Sequence, residues 1–250
     1  MNILFATYIT DIGWKEHCAL PLERSFHYFH PDIPFKIIEG NEVNNLFCKD
    51  DVNRNIRFSK PLLGKKLFKD YDRIILMDAD QLVTGPLTEL IDSQWELAGV
   101  RSNDDQGRSR PLGAFCTPKI PWERYLNCGL CGVGKPSAWD KWDYLNRNHN
   151  PHMEDAEQGT WNELFYSGEY QTKLLDPVDQ NIIYGVAANS AHWNSLYIED
   201  NKIMLNLTGT PKWVKVLHRA GVGGIGAPYN KFEDSRFHPD VAAYLRRIKS

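Results

Sequence analysis

Two carboxylates, Asp78 and Asp80, stand directly after the apolar run Ile74-Ile-Leu-Met77, and a second apolar pair, Leu82-Val83, follows them. In an extended segment residues i and i+2 point the same way, so both carboxylates converge on one point just beyond the end of a buried strand. That edge is where α/β sheets place their ligands. Two oxygen donors at such a point suit a hard divalent cation, Mn²⁺ or Mg²⁺, which also binds phosphate oxygens. Such an ion can hold a nucleotide diphosphate and neutralise it as it departs. Asp-x-Asp also marks solvated turns, but the apolar run before this pair favours a strand end over a polar surface.

The elements that must position the pair follow from hydrophobic period and turn residues. Ile3 to Tyr8 reads as a first strand, and Thr10-Asp-Ile-Gly13 as a polar break before a helix from about Trp14 to about Phe29, with Ala19, Leu22, Phe26 and Phe29 at helical spacing. Pro31 and Pro34 end that helix, and Pro34 to Ile38 is a second strand. Asn41 to Asn55 is polar and ambiguous. A helix over Lys60 to Lys69 precedes the acidic strand. This β-α-β-α-β order predicts an α/β domain built on a mostly parallel sheet flanked by helices.

Beyond it, the sequence predicts a short helix over Leu87–Ile91, a strand over Trp95–Val100 and a strand through Asn127–Val133. Helices near Trp139–Asn146 and Asp155–Tyr166, a strand over Trp213–Leu217 and an amphipathic helix over Asp240–Ile248 complete the chain. Residues 101–121 are rich in Arg, Asp, Ser, Pro and Gly and read as a long loop, either a lid over the site or a surface insertion.

Composition narrows the partners. A net charge of −3, with 24% charged residues, gives no general attraction to nucleic acid or anionic membrane. No apolar run approaches the roughly 18 residues of a membrane span. The start, Met-Asn-Ile-Leu-Phe-Ala-Thr, lacks the features of a signal peptide. The five cysteines, Cys18, Cys48, Cys116, Cys128 and Cys131, show no disulfide framework. A single cytoplasmic domain is the expectation, with nucleotide-binding residues in about 1–100 and acceptor-side residues in about 101–250. Cys128-x-x-Cys131 has zinc spacing but no second pair of ligands, so buried inert thiols are expected there.

Five segments occur in a telling order: Phe5-Ala-Thr-Tyr-Ile-Thr-Asp-Ile-Gly-Trp14; Phe58-Ser-Lys-Pro-Leu-Leu-Gly-Lys-Lys-Leu67; Tyr71 to Leu90 around Asp78 and Asp80; Tyr125-Leu-Asn-Cys-Gly-Leu-Cys-Gly-Val133 with Asp155-Ala-Glu-Gln-Gly-Thr-Trp-Asn162 after it; and Val216-Leu-His-Arg-Ala-Gly221. Together they resemble the nucleotide-sugar glycosyltransferases of the GT-A (Rossmann-like) fold, most closely the glycogenin and galactosyltransferase-like family 8.

The resemblance implies a role for each segment. Backbone groups at Ala6, Thr7 and Tyr8 would read a uracil edge, with Trp14 or Tyr8 stacked on its face. Lys60 would reach phosphate or sugar as a mobile point charge. Asp78 and Asp80, with Ala79 between them, would bind metal and donor, and His218 would be the third metal ligand. Asn127 would contact sugar hydroxyls, and Gly129 would let backbone approach closely. Gln158 or Glu157, standing where the family carries Asp-Gln, would lie near the anomeric carbon. Gly221 would line the diphosphate, and a small C-terminal segment would close the site. The family's lysine after this glycine is missing; Gly221-Val-Gly-Gly-Ile-Gly-Ala-Pro-Tyr229 can offer backbone N–H groups in its place.

The implied reaction is metal-dependent transfer of a hexose from a UDP-sugar to a hydroxyl of a saccharide, glycan or protein, with retention of configuration. A nucleotidyltransferase would want a Gly-rich basic loop after the first strand, where Thr7–Trp14 has one glycine and no Arg or Lys. An aspartyl-phosphate phosphatase would want Gly-Thr where Gln81-Leu82 stands. A non-catalytic carbohydrate-binding relic would be expected to lose metal ligands, and none is lost.

Overall fold

The computed structural model describes residues 2–9, 12–39, 59–92, 94–101, 120, 124–148, 156–175, 183–184, 195–206, 209–218 and 237–250. Seven strands come first in the chain: β1 (Ile3–Tyr8), β2 (Phe35–Ile38), β3 (Arg73–Met77), β4 (Gln81–Val83), β5 (Leu97–Arg101), β6 (Leu126–Val133) and β7 (Thr172–Leu175). All but β4 join one six-stranded sheet, in the order β2-β1-β3-β6-β5-β7. β1 runs parallel to β2 and β3, and β5 parallel to β7, whereas β6 is antiparallel to both its neighbours. The mostly parallel α/β sheet read from the sequence is therefore present, with one reversed strand. That reversal matters for the site, because it brings the N-terminal end of β6 to the edge where β1 and β3 end.

Helices cover both faces, which is why β3 is buried along its whole length. Ile74 and Leu76 face one core, with Trp139, Trp142 and Trp161 from the Pro136–Asn148 and Ala156–Phe165 helices. Ile75 and Met77 face the other, with Leu22 and Phe26 of the Leu20–Phe29 helix. The first helix is not uniform: Ile12–Trp14 is α, Lys15–Ala19 is π, and Leu20–Phe29 is α again. Pro21 has no N–H to give the preceding turn, and Leu20 N–H bonds Lys15 O in the wider π pattern.

The expected strand Trp213–Leu217 is corrected by the structure, which divides it between two small sheets. β8 (Ile183–Tyr184), β9 (Leu196–Glu199), β10 (Lys202–Leu205) and β11 (Lys212–Trp213) precede β12 (Val216–His218). β11 continues the β9–β10 hairpin, while β12 lies between β4 and β8. The chain changes partners at Val214, whose N–H bonds Ile203 O, and Lys215, whose carbonyl accepts from Thr84 N–H. The β9–β10 turn, Asp200-Asn201, has φ of 47° and 60°, the doubly positive pattern of a two-residue hairpin turn.

The Pro239–Lys249 helix packs Val241, Leu245 and Ile248 against Leu82 and Leu217. Its Tyr244 hydroxyl donates to Thr84 O at 3.1 Å. On the other side of β4, Ser25 Oγ accepts from Val83 N–H. The short strand after the acidic pair is thus braced from both sides. No described helix is long and apolar enough to cross a membrane. Asn41–Asn55, most of the expected loop 101–121 (residues 102–119 and 121) and Gly221 with its glycine-rich stretch lie outside the described residues.

Candidate metal centre

β3 ends at Met77, and its pairing with β6 is extended by one bond, Asp78 N–H to Gly129 O at 2.8 Å. This fixes the backbone of Asp78 at the sheet edge. Asp80 precedes β4, and the antiparallel β4–β12 register sets His218 directly opposite Gln81. The three side chains therefore meet. One ligand atom from each of Asp78, Asp80 and His218 lies within 4.8 Å of the others. His218 Nε2 is 3.2 Å from Asp80 Oδ1 and 3.7 Å from Asp78 Oδ2.

The donor set fits a divalent cation. Two carboxylates and an imidazole are borderline-hard ligands, and both ring nitrogens of His218 are buried without a hydrogen-bond partner among the described residues. A buried polar group left unmatched is unusual in a folded protein unless something else occupies it. This cluster can coordinate a divalent metal ion.

Lys60 is where the structure departs most from the sequence reading. It is not a mobile point charge; it is 1% exposed and held on three sides. Its Nζ lies 2.9 Å from Asp78 Oδ1, 3.6 Å from Glu157 Oε2 and 2.7 Å from Cys128 O. Burial alone disfavours an ammonium, but Asp78 foremost, with Cys128 and Glu157, holds Lys60 protonated well above its ordinary range. Asp78 thereby spends one oxygen on Lys60 and turns the other toward His218. The lysine's effect is to aim that carboxylate.

Glu157, 5% exposed, belongs to the same buried cluster. Its Oε1 accepts from Lys60 N–H at 2.8 Å. Burial pushes its pKa from 4.5 up to about 7, against the pull of Lys60. The folded state therefore binds this proton more tightly than the unfolded chain does. The associated stability is full below pH 4.5 and is lost as pH rises through about 7, by about 3 kcal/mol at complete ionisation. Glu157→Gln keeps an acceptor for Lys60 N–H and is expected to flatten the pH dependence of urea unfolding between about pH 5 and 8, measured in EDTA. An unchanged slope in the variant would show that Glu157 does not carry the effect.

The remaining expected residues converge on one feature of β6. The β5–β6 register jumps from Gly99↔Cys131 to Val100↔Asn127, so Cys128, Gly129 and Leu130 bulge away from β5. Bulges leave backbone groups unpaired in the ladder and often lie beside sites. Here those groups are accounted for by the site residues themselves. Cys128 N–H donates to Gln158 Oε1 at 3.2 Å, and Cys128 O accepts from Lys60. Gly129 N–H donates to Asn127 Oδ1 at 2.7 Å, and Gly129 O accepts from Asp78 N–H and from Gln81 Nε2 at 2.8 Å. Gln81 and the bulge were not foreseen in the sequence.

Gly129 has a tight steric reason to be glycine. A Cβ built there would lie 2.3 Å from His218 Cε1 and 2.7 Å from Asn127 Oδ1. The close approach its missing side chain permits is that of the imidazole. Gly129→Ala is expected to displace His218 and weaken divalent-cation affinity by about tenfold or more. Unaltered cation binding in a folded variant would contradict that placement.

At the β1 end, Phe5 N–H bonds Pro34 O and Ile9 N–H bonds Ile38 O. Strand alternation then turns Thr7's backbone toward β2 as well, and Ala6 is paired with Leu76 of β3. Of the three, Tyr8 is the one whose backbone groups point past the end of β3. Its side chain turns to the lysine cluster, hydrogen-bonded to Ser59, and burial raises its pKa. Trp14 packs with Ile9, Cys18, Ala19 and Ala79, which sets the β1 loop against the middle residue of the acidic pair. Cys131 is buried and Cys128 half-buried. Burial pushes the Cys128 thiol up to about 12 and Cys131 well above its usual range, so both are neutral and unreactive.

No protein-family profile and no curated protein sequence matches the chain. Its likeness to known proteins lies in solved structures. A glycosyltransferase involved in the glycosylation of the major capsid of PBCV-1 superposes over 88% of this chain and 96% of its own, with a TM-score of 0.55 and 17% identity. Galactosyltransferase LgtC, solved in complex with donor and acceptor sugar analogs, covers 100% of this chain and 95% of its own, with a TM-score of 0.56 and 16% identity. The bifunctional glycosyltransferase WbbM gives a TM-score of 0.59 at 13% identity; this chain spans 50% of its length. At such identities the likeness is one of fold. The chain is an α/β domain of GT-A type, with a mixed central sheet whose edge carries a cluster able to bind a divalent metal.

Proposed function

We propose that this protein is a metal-dependent glycosyltransferase that moves a hexose from a UDP-sugar to an acceptor hydroxyl, with retention of configuration. The observation that carries the reading is the convergence of Asp78, Asp80 and His218 at the sheet edge of a fold that known glycosyltransferases share. Asp78, Asp80 and His218 would hold a Mn²⁺ or Mg²⁺ ion, which would supply positive charge to the diphosphate of the donor.

The chain's own residues do the rest. Lys60 holds and aims Asp78. Trp14 and the Tyr8 backbone border the place for the base. Asn127 gives its Oδ1 to Gly129, which leaves its amide nitrogen to donate to a sugar hydroxyl. Of Gln158 and Glu157, the glutamate is committed to Lys60, so Gln158, partly exposed and fixed to the bulge, is the one able to face the sugar.

UDP release from a panel of UDP-hexoses, with Mn²⁺ and simple saccharide acceptors, tests the proposal. Expected is metal-dependent release with at least one donor and none with GDP- or CMP-sugars. Absence of release from every UDP-hexose, or equal release from the other nucleotides, would overturn it.

A further inference from the structure

Asn162, in the Ala156–Phe165 helix, is fully buried, and both polar atoms of its amide are engaged. Its Oδ1 accepts from Leu126 N–H at 2.7 Å, and its Nδ2 donates to Leu126 O at 2.9 Å and to Gln158 O at 2.8 Å. A primary amide has two N–H donors, and both are spent here. The reverse orientation would face donor to donor at Leu126 N–H, so chemistry decides the assignment.

These bonds meet a need that the sheet creates. β3 pairs with β6 only from Leu130 to Val133, and Asp78 N–H adds one bond at Gly129. Leu126, buried at the start of β6, lies beyond that reach. Its backbone N–H and C=O require partners. The amide of Asn162 bonds both, as the next strand would in a longer ladder.

The same bonds close a ring through the residues assigned to the sugar. It runs from Asn162 to Leu126, along β6 past Asn127 to Cys128, from Cys128 N–H to Gln158 Oε1, and from Gln158 O back to Asn162. Asn127 lies inside the ring, and Gln158 is tied at its carbonyl and at its side chain. Docking of the helix does not depend on this amide, because Trp161, Leu164 and Phe165 anchor it in the core.

We propose that Asn162 is a positioning residue for the donor sugar: one buried amide fixes the spacing of β6 and the facing helix, and so sets Asn127 and Gln158 relative to each other. The inference rests on the glycosyl-transfer reading and names the residue that holds its sugar-facing pair. Fully enclosed, Asn162 reaches neither sugar nor metal; it acts through Leu126 and Gln158. A misplacement of about 1 Å at a reacting centre costs on the order of 100-fold in rate. The metal cluster stands at the ends of β3, β4 and β12, outside the ring. Loss of the amide should therefore separate handling of the sugar from binding of UDP.

Two variants of the whole protein test this. Asn162→Leu removes all three bonds; Asn162→Asp keeps the acceptor for Leu126 N–H and, when ionised, donates to neither carbonyl. In both, turnover of the UDP-hexose that the wild type uses best is expected to fall about 100-fold, while the Kd of UDP in saturating Mn²⁺ stays that of the wild type. Wild-type turnover in a folded variant overturns the proposal. So does a parallel fall in turnover and UDP affinity, which is what general loosening of the fold would give. Should neither variant fold, ¹⁵N spectra of the wild type with Mg²⁺ decide. The Asn162 side-chain amide signal is expected to shift on adding that UDP-hexose without acceptor, and not on adding UDP. No shift with the sugar nucleotide, or the same shift with UDP alone, overturns it as well. No turnover of any UDP-hexose by the wild type would instead overturn the reading beneath it.

Discussion

Asp80→Asn is expected to lower sugar transfer by about two to three orders of magnitude, the range seen when one preorganised electrostatic contact to a developing charge is removed. The amide has nearly the shape of the carboxylate, so packing around Ala79 and β4 is retained. What is lost is a negative charge 3.2 Å from His218 Nε2, and with it much of the affinity for the cation. Transfer rates at saturating donor, with unfolding followed in parallel, check this. A folded Asp80→Asn enzyme with wild-type turnover would show that the acidic pair does not bind the working metal.

Lys60→Met is expected to cause the largest loss of stability, about 3–5 kcal/mol, as when one member of a buried ion pair is removed. Methionine fills similar space but leaves Glu157 Oε2, Asp78 Oδ1 and Cys128 O without their shared donor. Glu157 escapes part of the cost by protonating, since burial already lifts its pKa to about 7. The loss should therefore be smaller near pH 6 than near pH 8. Urea unfolding at both pH values measures it; a loss under about 1 kcal/mol at the higher pH would mean that the lysine is not the counter-ion of this cluster.

These two sites differ in how far the sequence disclosed them. Asp78 and Asp80 are local: an apolar run ending in two acids two residues apart specifies a strand end and a shared direction without tertiary information. The helices around Trp139, Trp161 and Tyr244 were equally legible from their period. Lys60 was recognised as a residue of interest but given the wrong physical state, because its burial depends on Glu157 and Cys128, far away in the chain. The β6 bulge and Gln81 carried no sequence signal. A bulge is a property of register between two strands, and Gln81 gains meaning only when that bulge sets Gly129 O against its amide.

Some misses had a readable cause. Asp200-Asn201 between Leu196–Glu199 and Lys202–Leu205 is hairpin turn chemistry and went unused. β7 is a four-residue edge strand whose Leu174 is exposed, so its period was too short to stand out. The break between Trp213 and Val216 falls inside Trp213-Val-Lys-Val-Leu217, whose one charged residue, Lys215, also fits the polar face of a single continuous strand, so the pattern does not show a change of sheet.

The central claim is that Asp78, Asp80 and His218 hold a cation that in turn holds the donor's diphosphate. It is tested most directly by the melting temperature of the wild type with saturating UDP, in Mn²⁺ and in excess EDTA. At a free UDP concentration about 100 times its Kd, binding adds about 2.7 kcal/mol, which is on the order of 5–10 °C for a domain of this size. The account predicts that rise in Mn²⁺ and essentially none in EDTA. An equal rise in EDTA would contradict it.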